Sequence, residues 1–303
     1  MHQLSLQPIP STTNQAEKQK VTKSRSLWVD AILRLFKSKT SIIGISLIVI
    51  LVITAILAPL IATHDPTATD IPNRYQAPSG EHFLGTDELG RDIFSRIVFG
   101  TRISIQIGLI AVGISLIVGV LLGAVAGYFG RWVDQIIMRI IDIMMAFPSI
   151  LLAIALVAVL GPSLRNAMIA VGIVGVPQFA RIVRSAVLSV KETEFIEAAR
   201  AIGGKHGRVL MGHVLPNSMA PIIVQATLGI GTAILDAAGL SFLGLGAQPP
   251  APEWGAMLSD GRAAIQNAPW VVGFPGLAIF LFVLGFNLFG DGLRDALDPK
   301  LKQ

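Results

Sequence analysis

Glu194–Asn217 reads EFIEAARAIGGKHGRVLMGHVLPN, the longest polar interruption in the second half of a very apolar chain. Phe195, Ala198, Ala199 and Ile202 fall at i, i+3, i+4 and i+7, the spacing of one helix face. The two alanines keep that face flat, so another surface can approach closely. Gly203 and Gly204 end the helix where a sharp reversal needs permissive dihedrals. KHGRVLMGHVL then resumes it, and Leu215-Pro216 leads into the next apolar run. The spacing predicts two short helices set at an angle. A plain connector needs only a few residues, so this one is built to be gripped.

What flanks the stretch is membrane sequence. Of 303 residues, 52% are hydrophobic and 14% charged, against about 25% charged in soluble domains. Ser41–Thr63 (SIIGISLIVILVITAILAPLIAT) has no charge, and about 20 residues suffice to cross the hydrocarbon core. Comparable runs cover Ile103–Phe129, Ile136–Leu160, Ala167–Val190, Ala220–Leu245 and Trp270–Phe289. Helices satisfy their own backbone in lipid, and the alternation of a barrel is absent. The expected fold is therefore all-α, with six transmembrane helices. The first run is longer than a signal h-region and follows a polar tail, so it is read as a retained helix.

Lys and Arg set the orientation. With the N-terminus inside, 18 basic residues lie on inner segments and 6 on outer ones, which predicts cytoplasmic termini and a cytoplasmic Glu194–Asn217. Residues 1–26 read as a disordered tail. Residues 27–40 read as an interfacial amphipathic helix or, equally, as a frayed extension of the first span. The first span is 41–63, and residues 64–100 form an extracytoplasmic loop. That loop's second half is expected to turn helical after a cap at Thr86 or Asp87. Residues 101–292 carry five further helices, with the polar loop at 191–216, and 293–303 form a cytoplasmic tail. The outer segment Gly244–Pro269 has a proline-broken look, with a short helix near Trp254–Ile265.

Several chemistries are excluded. AIGGKHG lacks the first glycine and the Ser/Thr of a phosphate-binding loop, so this chain does not hydrolyse ATP. Its five histidines form no H-x-x-x-H pair and it has no cysteine, so no metal site is expected. Asp87, Glu88 and Asp92 read as capping and turn residues. The net charge of +5 is spread between apolar runs, which argues for lipid contact and against nucleic acid. No catalytic residues and no bound cofactor are expected. Among charges in or near the membrane, Arg139 and Asp142 are three apart on one helix face and read as a structural ion pair. Asp236 falls near the outer end of the fifth helix, where it lines a pathway or gate, meets an outside partner, or makes a local hydrogen bond.

The loop resembles the EAA loop of ABC-type importer permeases: E-A-A, three residues, G, nine residues, then I-x-L-P. Glu197, Ala198, Ala199, Gly203, Leu215 and Pro216 match at that spacing, and His213 departs from it where isoleucine is expected. FLGTDELGRDIFSRIVFGTRIS (Phe83–Ser104), LGLGAQPPAPEWGAML (Leu243–Leu258) and FNLFGDGLRDALDPKL (Phe286–Leu301) are similar to signatures of the dipeptide, oligopeptide and nickel importer group, specifically its C-type permease. The resemblance runs from about residue 28 to the end of the chain. It implies the type I importer permease (MetI-like) fold, a homologous second permease, two cytoplasmic ATPases that use ATP and magnesium, and an extracytoplasmic solute-binding protein. It implies import of dipeptides or short peptides across a bacterial inner membrane, with nickel, glutathione or oligopeptides as alternatives. A stand-alone channel or secondary carrier is the reading from another class. Glu197–His213, with Gly204 in its turn, would be the ATPase-coupling element.

Overall fold

Apolar length and punctuation lay out the helices. The computed structural model describes residues 32–297. In chain order its principal helices are α1 (Lys39–Ile56), α2 (Ile93–Phe129), α3 (Arg131–Met145), α4 (Ser149–Leu160), α5 (Leu164–Lys191), α6 (Glu194–Ala201), α7 (His206–Val209), α8 (Met219–Phe242), α9 (Trp254–Gly261) and α10 (Trp270–Leu297). Five of them, α1, α2, α5, α8 and α10, are long and apolar enough to cross a membrane, and α3 with α4 makes a sixth, broken candidate. No strand is present among the described residues, only an isolated bridge between Thr86 and Asp92. The tail 1–26 and the end of the chain beyond 297 lie outside the described residues.

Several expected boundaries move, each for a physical reason. The third run, expected as one helix over Ile136–Leu160, is two helices bent by 91° at Ala146–Pro148. Proline cannot continue the ladder of the preceding helix and disfavours helical dihedrals in the residue before it. The 12 residues of α4 span only about 18 Å at 1.5 Å per residue. Of the segment 27–40, residues 32–35 are helical, and the chain then breaks before Ser38, which caps α1 through the Ser41 amide. That break separates the segment from the first span, so it is no simple extension of it. The expected tail at 293 is still helix as far as Leu297.

The second helix begins neither at Thr86 nor at Asp87 but after Asp92, whose carboxylate accepts the Ser95 amide at 2.8 Å. Asp87 is unavailable as a cap because its Oδ1 already accepts the amides of Leu89 and Arg91 at 2.9 and 3.0 Å. At 37 residues, α2 is about 55 Å long, well beyond the roughly 30 Å of a hydrocarbon core.

Close packing of small residues joins the long helices, as membrane interiors require. Gly119, Gly123 and Gly127 form a stripe on α2 that lies against α5. A methyl group at Gly123 would sit 2.4 Å from the Ala180 carbonyl oxygen, so the two backbones touch. Trp254 of α9 is buried, donates its Nε1–H to the Ile97 carbonyl at 3.2 Å, and meets Phe282 of α10 edge to face. Glu253 caps α9 by accepting the Gly255 and Ala256 amides at 2.9 and 2.8 Å.

Candidate functional site: coupling loop and cavity

At one end of the bundle, α6 and α7 are two short helices parted at Gly203 and Gly204. Ile196 anchors them: it is buried in a cluster with Val183, Val187, Val209, Val214 and Ile222. The face read from the sequence turns the other way. Phe195 is 48% exposed and Ile202 is 89% exposed, with Glu197 and Ala198 also exposed and Ala199 half-buried. The helix thus holds the body with one residue and offers its apolar face outward.

The reversal rests on two glycines. Gly203 has φ +88° and donates to the Arg200 carbonyl at 2.9 Å; Gly204 donates to the Ala199 carbonyl at 3.1 Å. A side chain on Gly204 would meet the Ala199 carbonyl oxygen at 2.6 Å. After α7 the chain makes a π-turn over Leu210–Val214, and the Leu215 amide bonds back to Leu210. Pro216 has no amide hydrogen for the Gly212 carbonyl, which explains why the ladder shifts register there. His213 is exposed and Val214 is buried, so a polar residue in place of isoleucine disturbs no packing.

Sequence reasoning missed the tether on the other side. Tyr128, at the end of α2, lies 3.2 Å from His206 Nδ1 through its hydroxyl, and the Arg200 guanidinium sits over its ring at 5.4 Å. Lys191 donates to the Gly127 and Tyr128 carbonyls at 3.1 and 3.3 Å. The loop is pinned to the C-terminal end of α2. Its signal was a lone tyrosine after a glycine, too plain to notice.

The expected Arg139–Asp142 pair is not formed. Asp142 bonds Arg181 at 2.6 Å, and Arg184 takes Asp134 with two bonds of 2.5 and 2.6 Å. The acids of α3 face α5, whose two arginines reach them from three residues apart. That geometry gives Asp134 a two-pronged partner. Arg139 lines an open hollow beside these residues.

Between the helices lies a cavity of about 270 Å³. Ser115 of α2, Ser149 of α4, Gln178 of α5, and Gln225, Thr232 and Asp236 of α8 supply its polar groups. On α8 the three residues recur at i, i+7 and i+11, one face of a helix. Ser115 already donates to the Gly172 carbonyl at 2.6 Å. Asp236, half-buried, makes no hydrogen bond or ion pair with any described residue. It lies six residues before the end of α8, towards the end opposite the loop, as expected.

That opposite end is latched. Asp87, Arg91 and Arg96 have side chains only 6%, 3% and 1% exposed; Arg91 Nε meets Asp87 at 2.6 Å, Arg96 Nε lies 3.5 Å from it, and Arg91 reaches Asp260 of α9 at 3.6 Å. Arg96 also donates to the carbonyls of Pro66 and Pro250. Burial and the neighbouring carboxylates raise the Glu88 carboxyl above its ordinary range, and burial raises that of Asp260 despite Arg91. Beside the latch, His64, His82 and Asp92 bring three metal-ligand atoms within 4.8 Å of one another. His82 Nδ1 lies 2.9 Å from one Asp92 oxygen while the other caps α2. The carboxylate is already used twice, so the cluster acts as a clasp between loop and helix.

Comparison with known proteins places this geometry. Residues 119–303 match the family "binding-protein-dependent transport system inner membrane component", and residues 26–78 match the N-terminal transmembrane domain of oligopeptide transport permease C. The chain is 61% identical over 277 residues, covering 91% of each chain, to a dipeptide transport system permease protein of Alkalihalophilus pseudofirmus. It is 47% identical to a glutathione transport system permease protein of Pectobacterium atrosepticum, covering 92% of this chain and 93% of that one. Among solved structures, the inward-facing MetNI methionine ABC transporter aligns with a TM-score of 0.56 at 19% identity, over 67% of this chain and 96% of that one.

Proposed function

Because the chain belongs to the family of inner membrane components of binding-protein-dependent transport systems, we propose that it forms half of the translocation pathway of an ATP-driven importer of dipeptides. The observation that carries this reading is the outward apolar face of α6, with Phe195 and Ile202 exposed on a helix that Ile196 and Tyr128 hold in place. Such a face fits a groove in a cytoplasmic ATPase. A homologous second permease faces the cavity from its open side, and two ATPases use ATP and magnesium. A solute-binding protein delivers its cargo to the latched end. Both termini and the coupling loop then lie in the cytoplasm, as the 18 to 6 bias of basic residues supports, and the membrane is a bacterial inner membrane.

In this reading closure of the ATPases moves α6 and α7 and biases two packings of the same helices, a rigid-body form of alternating access. Glutathione is the second solute class supported, because a relative named for it matches over nearly the whole chain. The test is purification in mild detergent followed by reconstitution. A second permease and ATPases should accompany the chain, and dipeptide uptake should require ATP and the binding protein. A lone chain that moves dipeptide into vesicles without ATP would overturn the proposal.

A further inference from the structure

An unpartnered carboxylate in a membrane helix is costly unless a cation comes to it. Asp236 is such a group. Neither a hydrogen bond nor an ion pair engages it among the described residues, and no lysine or arginine lines its cavity. The other polar groups on the wall, Ser115, Ser149, Gln178, Gln225 and Thr232, are uncharged. One negative charge among neutral donors and acceptors is a site for a cation that also carries amides. At about 270 Å³ the cavity is just short of the roughly 300–1,000 Å³ of small-molecule sites.

We propose that Asp236 receives the free α-ammonium group of the passing peptide while the amide and hydroxyl side chains of the wall meet its peptide bond. The inference rests on the import reading above. Both solute classes named there carry a free α-amino group, and with an ordinary pKa of about 7.7–8.0 that group is mostly charged at neutral pH. A single charged contact, half-buried and without a basic clamp for the other end of the peptide, orients the solute and still lets it leave. The cavity reads the amine, a feature that dipeptides share whatever their side chains.

The absence of native cysteine gives a direct test. Thr232→Cys puts one thiol on the cavity wall, one turn from Asp236. In the assembled importer, without binding protein, the rate of modification by a water-soluble maleimide is read from the mass of this chain. Glycylglycine should slow modification several-fold, and N-acetyl-glycylglycine at the same concentration should not. Adding Asp236→Asn should abolish the protection, and Asp236→Glu should keep it. Equal protection by both peptides, protection by neither, or protection that survives Asp236→Asn would overturn the ammonium site and leave the pathway standing. A thiol that reacts in neither the nucleotide-free nor the ATP-bound complex would overturn the pathway reading itself, and the site with it.

Discussion

Arg184 of α5 holds Asp134 of α3 through two parallel hydrogen bonds of 2.5 and 2.6 Å. This fork, with the single bond from Arg181 to Asp142, fixes a helix that leaves the bundle at 91° to α4. Two arginines that look like interruptions of an apolar run are the anchor points of its neighbour. The fork is the more sheltered of the two, with side chains 33% and 18% exposed against 48% and 54%. A double-mutant cycle on Arg184 and Asp134 should return a coupling of about 1–2 kcal/mol. The same cycle on Arg181 and Asp142 should return under about 1 kcal/mol. Thermal unfolding in detergent measures both. Because lysine lacks the planar fork, Arg184→Lys should recover little of the loss.

Asp87 is the hub of the latch at the end of the bundle opposite the loop. Asp87→Ala leaves Arg91 and Arg96 buried without their shared carboxylate, and breaking a buried pair in this way costs about 3–5 kcal/mol. The expected result is a large fall in melting temperature, with protease cutting in the segment 64–92 before the helices unfold. Unchanged stability would mean that Asp260 and the carbonyls of Pro66 and Pro250 suffice for the two arginines.

The turn at Gly203 separates two kinds of change at one glycine. Gly203→Pro cannot adopt φ +88° and removes the amide that bonds Arg200. Uptake and its stimulation of ATP hydrolysis should be lost while insertion in the membrane persists. Gly203→Ala meets nothing within 4 Å and carries only the left-handed cost of about 1–2 kcal/mol. It should keep a substantial part of the activity in the same assay.

Glu88 makes the latch respond to pH. Burial, then Asp260 and Asp87, raise its carboxyl above the ordinary range. The folded chain therefore holds this proton more firmly than the unfolded one. The stability it contributes is full in acid, below the ordinary value, and is lost as pH rises through the raised one. Glu88→Gln is neutral at every pH, so it should melt higher than the parent near pH 7.5. That advantage should shrink towards about pH 4 as the parent takes up its own proton. A gap that stays constant with pH would assign the effect to packing.

What could be read from the chain alone follows from what is local. The long helices, the pair of short helices parted at Gly203 and the short helix at Trp254 are written in apolar length, glycine and proline, and all appear. The break at Pro148 carried a local signal too, but a continuous apolar run masks a bend. Pairings were illegible where they depend on how helices lie together. Nothing near Asp142 says that its partner is 39 residues away, and i, i+3 spacing offered Arg139 as the nearer choice. The same limit hid Tyr128 as the tether of a loop 78 residues further on. Burial direction was similarly beyond reach: Phe195 and Ile202 form the expected apolar stripe, but only the surrounding body shows that Ile196 is the residue facing inward.

The length of α2 has a mechanical meaning. One helix without an internal proline carries Arg96, at the heart of the latch, and Tyr128, under the loop of α6 and α7. The 32 positions between them measure about 48 Å of uninterrupted rise. Along the Gly119–Gly127 stripe, its backbone lies directly on that of α5, so it cannot easily bow alone. A rod with no joint transmits axial displacement instead of absorbing it. The two faces of this protein are therefore the two ends of a single part.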